Sequence, residues 1–291
     1  MHNHYLVFPQ FNPIIFSFGP VSFHWYGLMY LLSFVLIRWL ARRRITQFCG
    51  TWNKDDVDKL MYVGFLGVFF GGRLGYMLFY NLPLFFDDPI CIFKIWNGGM
   101  SFHGGLIGVI IALSLFCHYN KFNFFSVSDF LTPFIPLGLG AGRFGNYING
   151  ELWGRVNFHI PWGMLFPASY NEDIKLAVNN PEWQQFIFYH GALPRHPSQL
   201  YEVVLEGLLL FVILHWFVSS HVRPIGATSG LFLIIYSVFR IFVEFFRQPD
   251  QQIGLFYGVS MGQILSVPMF ICGVFIMLLA YNKGISIKNN S

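Results

Sequence analysis

The sequence predicts an all-α polytopic membrane protein of about seven spanning helices. Three observations carry that prediction: a shortage of charge, an excess of aromatic side chains, and a series of apolar runs long enough to cross a bilayer. Of 291 residues, 55% are hydrophobic and 11% charged, whereas a soluble domain carries roughly 25% charged residues. Lipid, not water, is therefore the solvent the chain is built for. Aromatic residues make up 20%, including 36 Phe, which suits helices facing acyl chains and rings settling at headgroup level. A bilayer core takes about 20 apolar residues per helix. Such runs fall near residues 20–40, 60–80, 103–119, 128–147, 198–218, 227–246 and 257–281.

Seven spans put the termini on opposite sides, and the basic residues set the direction. Arg38, Arg42, Arg43, Arg44, Lys54 and Lys59 crowd the connection after the first span, and Lys121, Arg223, Lys283 and Lys288 fall in alternate loops and the tail. Lys and Arg mark the cytoplasmic side, so the N-terminus is expected outside and the C-terminus cytoplasmic. Met1 to Pro20 has no Lys or Arg before its apolar stretch and no small-residue cleavage site. The expectation is that no signal peptide is removed and that the first helix directs insertion. Residues 148–197, rich in Trp, Pro, Asn and Gly, form the longest outer segment and read as a small extracytoplasmic head within one transmembrane domain spanning 1–291.

Several function classes are excluded early. The net charge of +4 is modest, and no basic run with interleaved aromatics offers a track for nucleic acid. Cys49, Cys91, Cys117 and Cys272 show no C-x-x-C spacing, so neither a disulfide framework nor a zinc site is expected. No His pair stands three or four apart beside a carboxylate, which removes a zinc protease. Neither a metal nor an organic cofactor is expected.

Arg73, Arg143, Arg240 and Arg247 lie inside or at the outer ends of spans, against the charge bias of the loops. An arginine at bilayer depth costs at least a few kcal/mol and is tolerated where it faces a partner or a wet cavity. We expect these four to form a cluster. Tyr236, Arg240, Glu244 and Arg247 fall at i, i+4, i+8 and i+11 of the sixth span, one narrow stripe of a helix. The plainer alternative is an Arg240–Glu244 pair snorkelling at a helix end, which leaves Tyr236 and Arg247 without a role. Glu202 and Glu206 share a face of the fifth span, and an inward arginine is the natural partner for the deeper one.

Two glycine-rich stretches complete the set. Residues 142–155, Gly-Arg-Phe-Gly-Asn-Tyr-Ile-Asn-Gly-Glu-Leu-Trp-Gly-Arg, combine four glycines with Arg143, Asn146, Asn149 and Glu151. We read the glycines as permitting a sharp turn against a ligand that the polar side chains hold. Residues 96–105, Trp-Asn-Gly-Gly-Met-Ser-Phe-His-Gly-Gly, place His103 at the outer interface. A lone histidine can equally be structural, and Tyr26 and the 196–202 stretch can equally be interface anchors. Gly67, Gly71 and Gly75, with Gly104–Gly108 and Gly138–Gly142, recur at a four-residue spacing that reads as close helix packing.

These stretches resemble the bacterial phosphatidylglycerol–prolipoprotein diacylglyceryl transferases, membrane enzymes that modify lipoproteins, over nearly the whole chain. The 142–154 stretch looks like the signature loop of that family, with Tyr147 where Phe or an aliphatic residue is usual. Residues 98–105, 196–202 and 244–250 are similarly family-like. The resemblance implies a multi-pass enzyme of the bacterial inner membrane with its active site on the extracytoplasmic side. Such an enzyme moves the diacylglyceryl group of phosphatidylglycerol onto the lipobox cysteine thiol of a prolipoprotein, releasing glycerol 1-phosphate. Its partners would be phosphatidylglycerol, the lipobox peptide and membrane lipid.

By the same resemblance the functional positions are Tyr26, His103, Arg143, Asn146, Glu151, Gly154, Tyr236, Arg240, Glu244 and Arg247; Arg73 and Glu202, charged residues of the apolar runs, are expected in support. Attack on an alkyl carbon needs a thiolate, from a thiol of pKa near 8.5, and the departing phosphate gains charge that fixed cations must meet. The expectation is that Arg143 and Arg240 clamp the phosphate, Asn146 and Tyr236 hydrogen-bond the headgroup, His103 is the base, and Glu244 and Glu151 orient arginines. An anion or lipid transporter, or a non-catalytic lipid-binding scaffold, would use inward arginines too. A transporter commonly shows paired broken helices near the midplane, whereas here the polar residues gather at outer ends.

Overall fold

The computed structural model describes residues 5–19, 21–45, 52–82, 86, 88, 90, 99–249, 255, 256 and 258–284. Cys49, Cys91, Trp96, Asn97, Gly98, Asp250 and Lys288, named above, lie outside them. Helices run over Trp25–Arg44 (α1), Lys54–Tyr80 (α2), Phe102–Asn120 (α3), Phe124–Leu131 (α4), Ile135–Ile148 (α5), Tyr170–Ala177 (α6), Pro181–His190 (α7), Ser198–Glu202 (α8), Leu210–Ser220 (α9), Ala227–Glu244 (α10) and Met261–Lys283 (α11). A 3-10 turn, Thr132–Phe134, joins α4 to α5, and a π-helical stretch, Val203–Leu209, joins α8 to α9.

Among the described residues, six stretches are long and apolar enough to cross a membrane: Lys54–Leu78, Phe102–Asn120, Phe124–Ile148, Ser198–Ser220, Ala227–Glu244 and Met261–Lys283. Their flanks stay apolar on the outside, with Phe102 67%, Trp216 68% and Phe275 61% exposed. Water would not tolerate surface of that kind over whole helices. The remaining expected span is α1, which is 20 residues long but carries Arg38, Arg42, Arg43 and Arg44 in its last two turns. Its start is also later than the apolar run near 20–40 implies. Ile14–Phe18 and Val21–His24 pair as an antiparallel hairpin, and the Phe16 and Phe23 rings stack at 4.4 Å. The alternation Val-Ser-Phe-His has the period of a strand, and helix begins only at Trp25.

The chain falls into two compact units, one made of Thr132–Gly284 with the segment up to Ile37, the other containing Arg38–Leu131. In the second unit α2 opens on a capping box. Asn53 Oδ1 accepts from the backbone N–H of Asp55 and Asp56, and Asp56 returns the bond to the Asn53 N–H. That satisfies otherwise orphaned donors and sets acidic groups at the positive end of the helix. The α2 and α3 helices then touch backbone to backbone. A Cβ at Gly71 would land on the Gly104 carbonyl and the Gly108 Cα, and one at Gly75 on the Gly104 Cα. The four-residue glycine spacing is thus the packing surface of a helix pair. At the capped end of α2, Asp58 receives Arg38 through two bonds of 2.8 Å and Arg42 at 2.7 Å.

In the first unit, the head expected at 148–197 has a contributor that the sequence did not announce. Leu6–Val7 runs parallel to Met164–Leu165, which pairs antiparallel with Pro194–Arg195. Phe8, Met164 and Phe166 form one small core beneath Tyr147 and Trp153, and Ala177, Ile187 and Leu193 form another around α6 and α7. Between them lies a fully buried ion pair. Arg195 donates from Nε to Asp173 Oδ1 at 3.0 Å and from Nη1 to the Gly154 carbonyl at 2.9 Å. Asp173 Oδ2 accepts from the Leu193 N–H at 2.8 Å and from Ser169 Oγ at 2.7 Å.

Removing one member of such a pair strands the other charge out of water, which costs about 3–5 kcal/mol. Asp173→Ala is therefore expected to lower the thermal unfolding midpoint of the detergent-purified protein markedly, and an unchanged midpoint would contradict the role of this pair.

Candidate active site

In the first unit, buried cations and carboxylates alternate from helix to helix. Arg240, on α10, places Nη1 2.6 Å from Glu202 Oε1 and Nη2 3.0 Å from Glu244 Oε2. Arg143, on α5, places Nε 3.5 Å from both Glu202 Oε2 and Glu206 Oε2. Glu206 also reaches Arg240, at 3.7 Å, and Arg247 Nη1 lies 3.8 Å from Glu244 Oε1. Glu202 and Glu206 are fully buried. An isolated charge in that setting costs several kcal/mol, so an alternating series is the arrangement such a core can hold. Tyr236, one turn before Arg240, is within electrostatic range of Arg143, Arg240, Glu202 and Glu206, with its ring stacked on Phe232.

Backbone geometry makes the meeting possible. Glu202 ends α8 and Glu206 sits in the π-helical stretch that follows, where bonds run from i to i+5 and the turn widens, a feature common at functional sites. Beside Glu206, Gly207 meets Gly140 of α5, and a Cβ on either would strike the other's Cα. The close approach of these two backbones brings the glutamates within reach of Arg143. Arg247 was expected on the helical stripe of Tyr236, Arg240 and Glu244. The helix in fact ends at Glu244, and Arg247 pairs its backbone with Gly154 as an isolated antiparallel bridge.

The 142–155 stretch is also built differently from the sharp turn expected of its glycines. The α5 helix continues to Ile148, so Gly142 and Gly145 are helical, and their missing side chains make room for Tyr30 and Tyr26 of α1. The two phenols lie 3.2 Å apart at their hydroxyls. The turn itself comes later, with left-handed backbone at Gly150 (φ 64°) and at Leu152 (φ 58°), the latter a strained conformation for a branched residue. Glu151 Oε1 accepts from Asn146 Nδ2 at 2.9 Å and from Asn149 Nδ2 at 3.2 Å. Its hydrogen-bond partners are thus asparagines, whereas Glu244 forms ion pairs with the arginines Arg240 and Arg247. Glu151, Asn149 and Tyr26 line a cavity of about 780 Å³ whose other walls include Phe16, Phe23 and His24 of the hairpin.

The 196–202 stretch clasps this loop. Gln199 Nε2 donates to the Glu151 carbonyl at 2.7 Å and Ser198 Oγ to the Leu152 carbonyl at 3.1 Å. Gly154 lies between this stretch and the end of α10. Its N–H donates to the His196 carbonyl, and a Cβ there would collide with the His196 and Phe246 carbonyls. Only glycine fits, pressed between His196 and the Phe246 carbonyl. His196 is a neutral ring by its bonding. Asn157 Oδ1 accepts from the His159 N–H, which turns Nδ2 towards His196 Nε2 at 3.2 Å and leaves Nδ1–H to donate to the Tyr201 hydroxyl. Trp162 donates to the same hydroxyl at 2.7 Å. Burial holds the His196 imidazole below its ordinary pKa, in keeping with that tautomer.

His103 and Arg73 belong to the second unit. His103 is the exposed second residue of α3, just after Ser101, which caps the helix by accepting from the Gly104 N–H. Arg73 is buried, donates to the Gly99 carbonyl at 3.0 Å and faces the Tyr76 ring. Of the four arginines expected to cluster, the first unit brings Arg143, Arg240 and Arg247 into one series with Glu202, Glu206 and Glu244. Sequence reasoning passed over Tyr30, Gln199 and the Arg195–Asp173 pair. Tyr30 had a signal, since it lies one helical turn from Tyr26. The other partners are remote in sequence and left none.

A family model described as prolipoprotein diacylglyceryl transferase matches residues 13–279. The phosphatidylglycerol–prolipoprotein diacylglyceryl transferase of Erwinia tasmaniensis is 62% identical over 283 residues, 97% of each chain. Its namesake from Sodalis glossinidius is 62% identical over 284 residues, covering 97% of this chain and 98% of its own. The one from Pectobacterium atrosepticum is 59% identical over the same shares. Matching over this length places the chain in the prolipoprotein diacylglyceryl transferase family.

Proposed function

We propose that this membrane protein transfers the diacylglyceryl group of phosphatidylglycerol to the lipobox cysteine of a prolipoprotein. The sulfur attacks the glyceryl carbon that bears the phosphate oxygen. The carbon–sulfur bond forms, the carbon–oxygen bond breaks, and glycerol 1-phosphate departs with the electron pair. One observation carries this reading: Arg143 and Arg240, from separate helices, converge on the same two carboxylates, Glu202 and Glu206. Two guanidinium groups held that way can take a phosphate bidentately and stabilise the charge it gains as the bond breaks. Asn146 and Tyr236 are the headgroup's hydrogen-bonding partners in this scheme, with Tyr26 beside them, and Glu244 and Arg247 fix the orientation of Arg240. Glu151 keeps Asn146 in place, and Gly154 holds the loop to its neighbours. His103 is the base that receives the thiol proton, and Arg73 supports the headgroup.

We place the protein in the bacterial inner membrane with α1 as a seventh span. The N-terminus and the active site face outwards, the C-terminus faces the cytoplasm, and chain 1–291 acts as one catalytic domain. The excess of Lys and Arg in the loops on the opposite side supports that direction. The rival reading as an anion or lipid transporter is not favoured, because the relatives carry the name of a transferase.

Purified protein, labelled phosphatidylglycerol and a lipobox peptide separate the readings by product: a thioether, lipid movement alone, or binding alone. Arg143→Ala and Arg240→Ala should each cut thioether formation by at least about 10²-fold at saturating lipid. A variant that raised only the lipid concentration required would contradict the clamp. His103→Gln, correctly folded, should lose about 10²–10⁴-fold in turnover, and near-normal turnover would remove it as the base.

A further inference from the structure

Resting on the phosphate clamp proposed above, we infer that Glu206, buried between Arg143 and Arg240, takes up a proton when the lipid phosphate binds. The first unit's cluster is balanced before an anion enters. Three arginines, Arg143, Arg240 and Arg247, stand against three glutamates, Glu202, Glu206 and Glu244. A phosphodiester seated on Arg143 and Arg240 adds one negative charge to a site from which water is largely excluded. A buried excess charge is relieved most cheaply by neutralising one of the carboxylates.

The two carboxylates that share those arginines are not held alike. Glu202 Oε1 receives Arg240 Nη1 at 2.6 Å, a short charge-assisted hydrogen bond. Glu206 meets Arg143 and Arg240 only at 3.5 Å and 3.7 Å, and neither of its oxygens accepts a hydrogen bond. It is the carboxylate with least to lose by protonation. The groups facing it are Arg143 from α5, Arg240 and Tyr236 from α10, and Glu202 on its own strand of helix. Once a phosphate draws the guanidinium groups to itself, Glu206 has a neighbouring carboxylate and a phosphate beside it. Two or more like charges at such a site do not all remain ionised. As a carboxylic acid it gains a donor, which its position beside Glu202 can use.

The inference is a proton count, and a merely structural role for Glu206 would not produce one. Calorimetric titration of the detergent-purified chain with a soluble short-chain phosphatidylglycerol, in two buffers of different ionisation enthalpy, measures protons bound per lipid. The parent protein should take up about one proton, with affinity rising up to about tenfold for each pH unit lowered. Glu206→Gln should bind the lipid with no uptake and a flat pH profile. Uptake of no proton by the parent, or undiminished uptake by Glu206→Gln, would overturn the inference, and the parent measurement decides even if the variants fold poorly. Diacylglycerol of the same chain length distinguishes the two levels of the argument. If phosphatidylglycerol is preferred over it without proton uptake, Glu206 alone is misassigned. If there is no preference, and Arg143→Ala binds as the parent does, the clamp falls as well.

Discussion

The first unit depends on a buried series of alternating charges, in which Arg143 and Arg240 from separate helices share the carboxylates of Glu202 and Glu206. None of these groups could be buried alone, because a desolvated guanidinium or carboxylate costs more than any single packing contact returns. Together they fix the positions of three helical segments. Arg143 ties α5 to the α8–π segment, and Arg240 ties that segment to α10. Arg247 extends the series to the loop, since its backbone bridges to Gly154. Charges that would otherwise keep helices apart in lipid therefore hold them in register, with guanidinium groups already desolvated and aimed before a ligand arrives. Such preorganised cations cost no reorganisation at the moment of reaction.

Small residues make that arrangement reachable. Gly140 and Gly207 bring α5 and the π segment close enough for Glu206 to meet Arg143, while Gly142 and Gly145 admit the rings of Tyr30 and Tyr26. Gly154 admits two strands of backbone at once, and the Arg195–Asp173 pair holds its carbonyl from the head side. The head thus acts on the site through the loop it secures: Gln199 and Ser198 grip the carbonyls of Glu151 and Leu152 from one side, and the buried pair grips Gly154 from the other. The open cavity beside Tyr26 and Glu151 lies where that loop meets the apolar hairpin.

Much of this was legible in the sequence, for one physical reason. An arginine or glutamate in an apolar run is expensive, so Arg143, Arg240, Glu202 and Glu206 declared themselves and each other, and the four-residue glycine spacing declared the α2–α3 interface. What the sequence concealed depends on long-range or conformational detail. A two-residue strand at Leu6–Val7 has no periodicity of its own, and only its pairing with Met164–Leu165 makes it part of the head. Helical and turn glycines look alike in a string, so Gly142 and Gly145 read as a turn although they are seats for tyrosine rings. Arg247 keeps the spacing of a helical stripe after the helix has ended, because spacing alone does not mark a terminus. The π-helical widening at Val203–Leu209 likewise leaves no compositional trace.

The central claim is that one lipid phosphate is held by both guanidinium groups. Solid-state NMR of arginine-¹⁵N-labelled protein in bilayers containing phosphatidylglycerol tests it directly, by the dipolar coupling between the lipid ³¹P and guanidinium ¹⁵N nuclei. The account predicts coupling of a single bound phosphorus to both Arg143 and Arg240, each assigned by loss of its signal on substitution with lysine. Coupling to only one of them, or to neither, would contradict it.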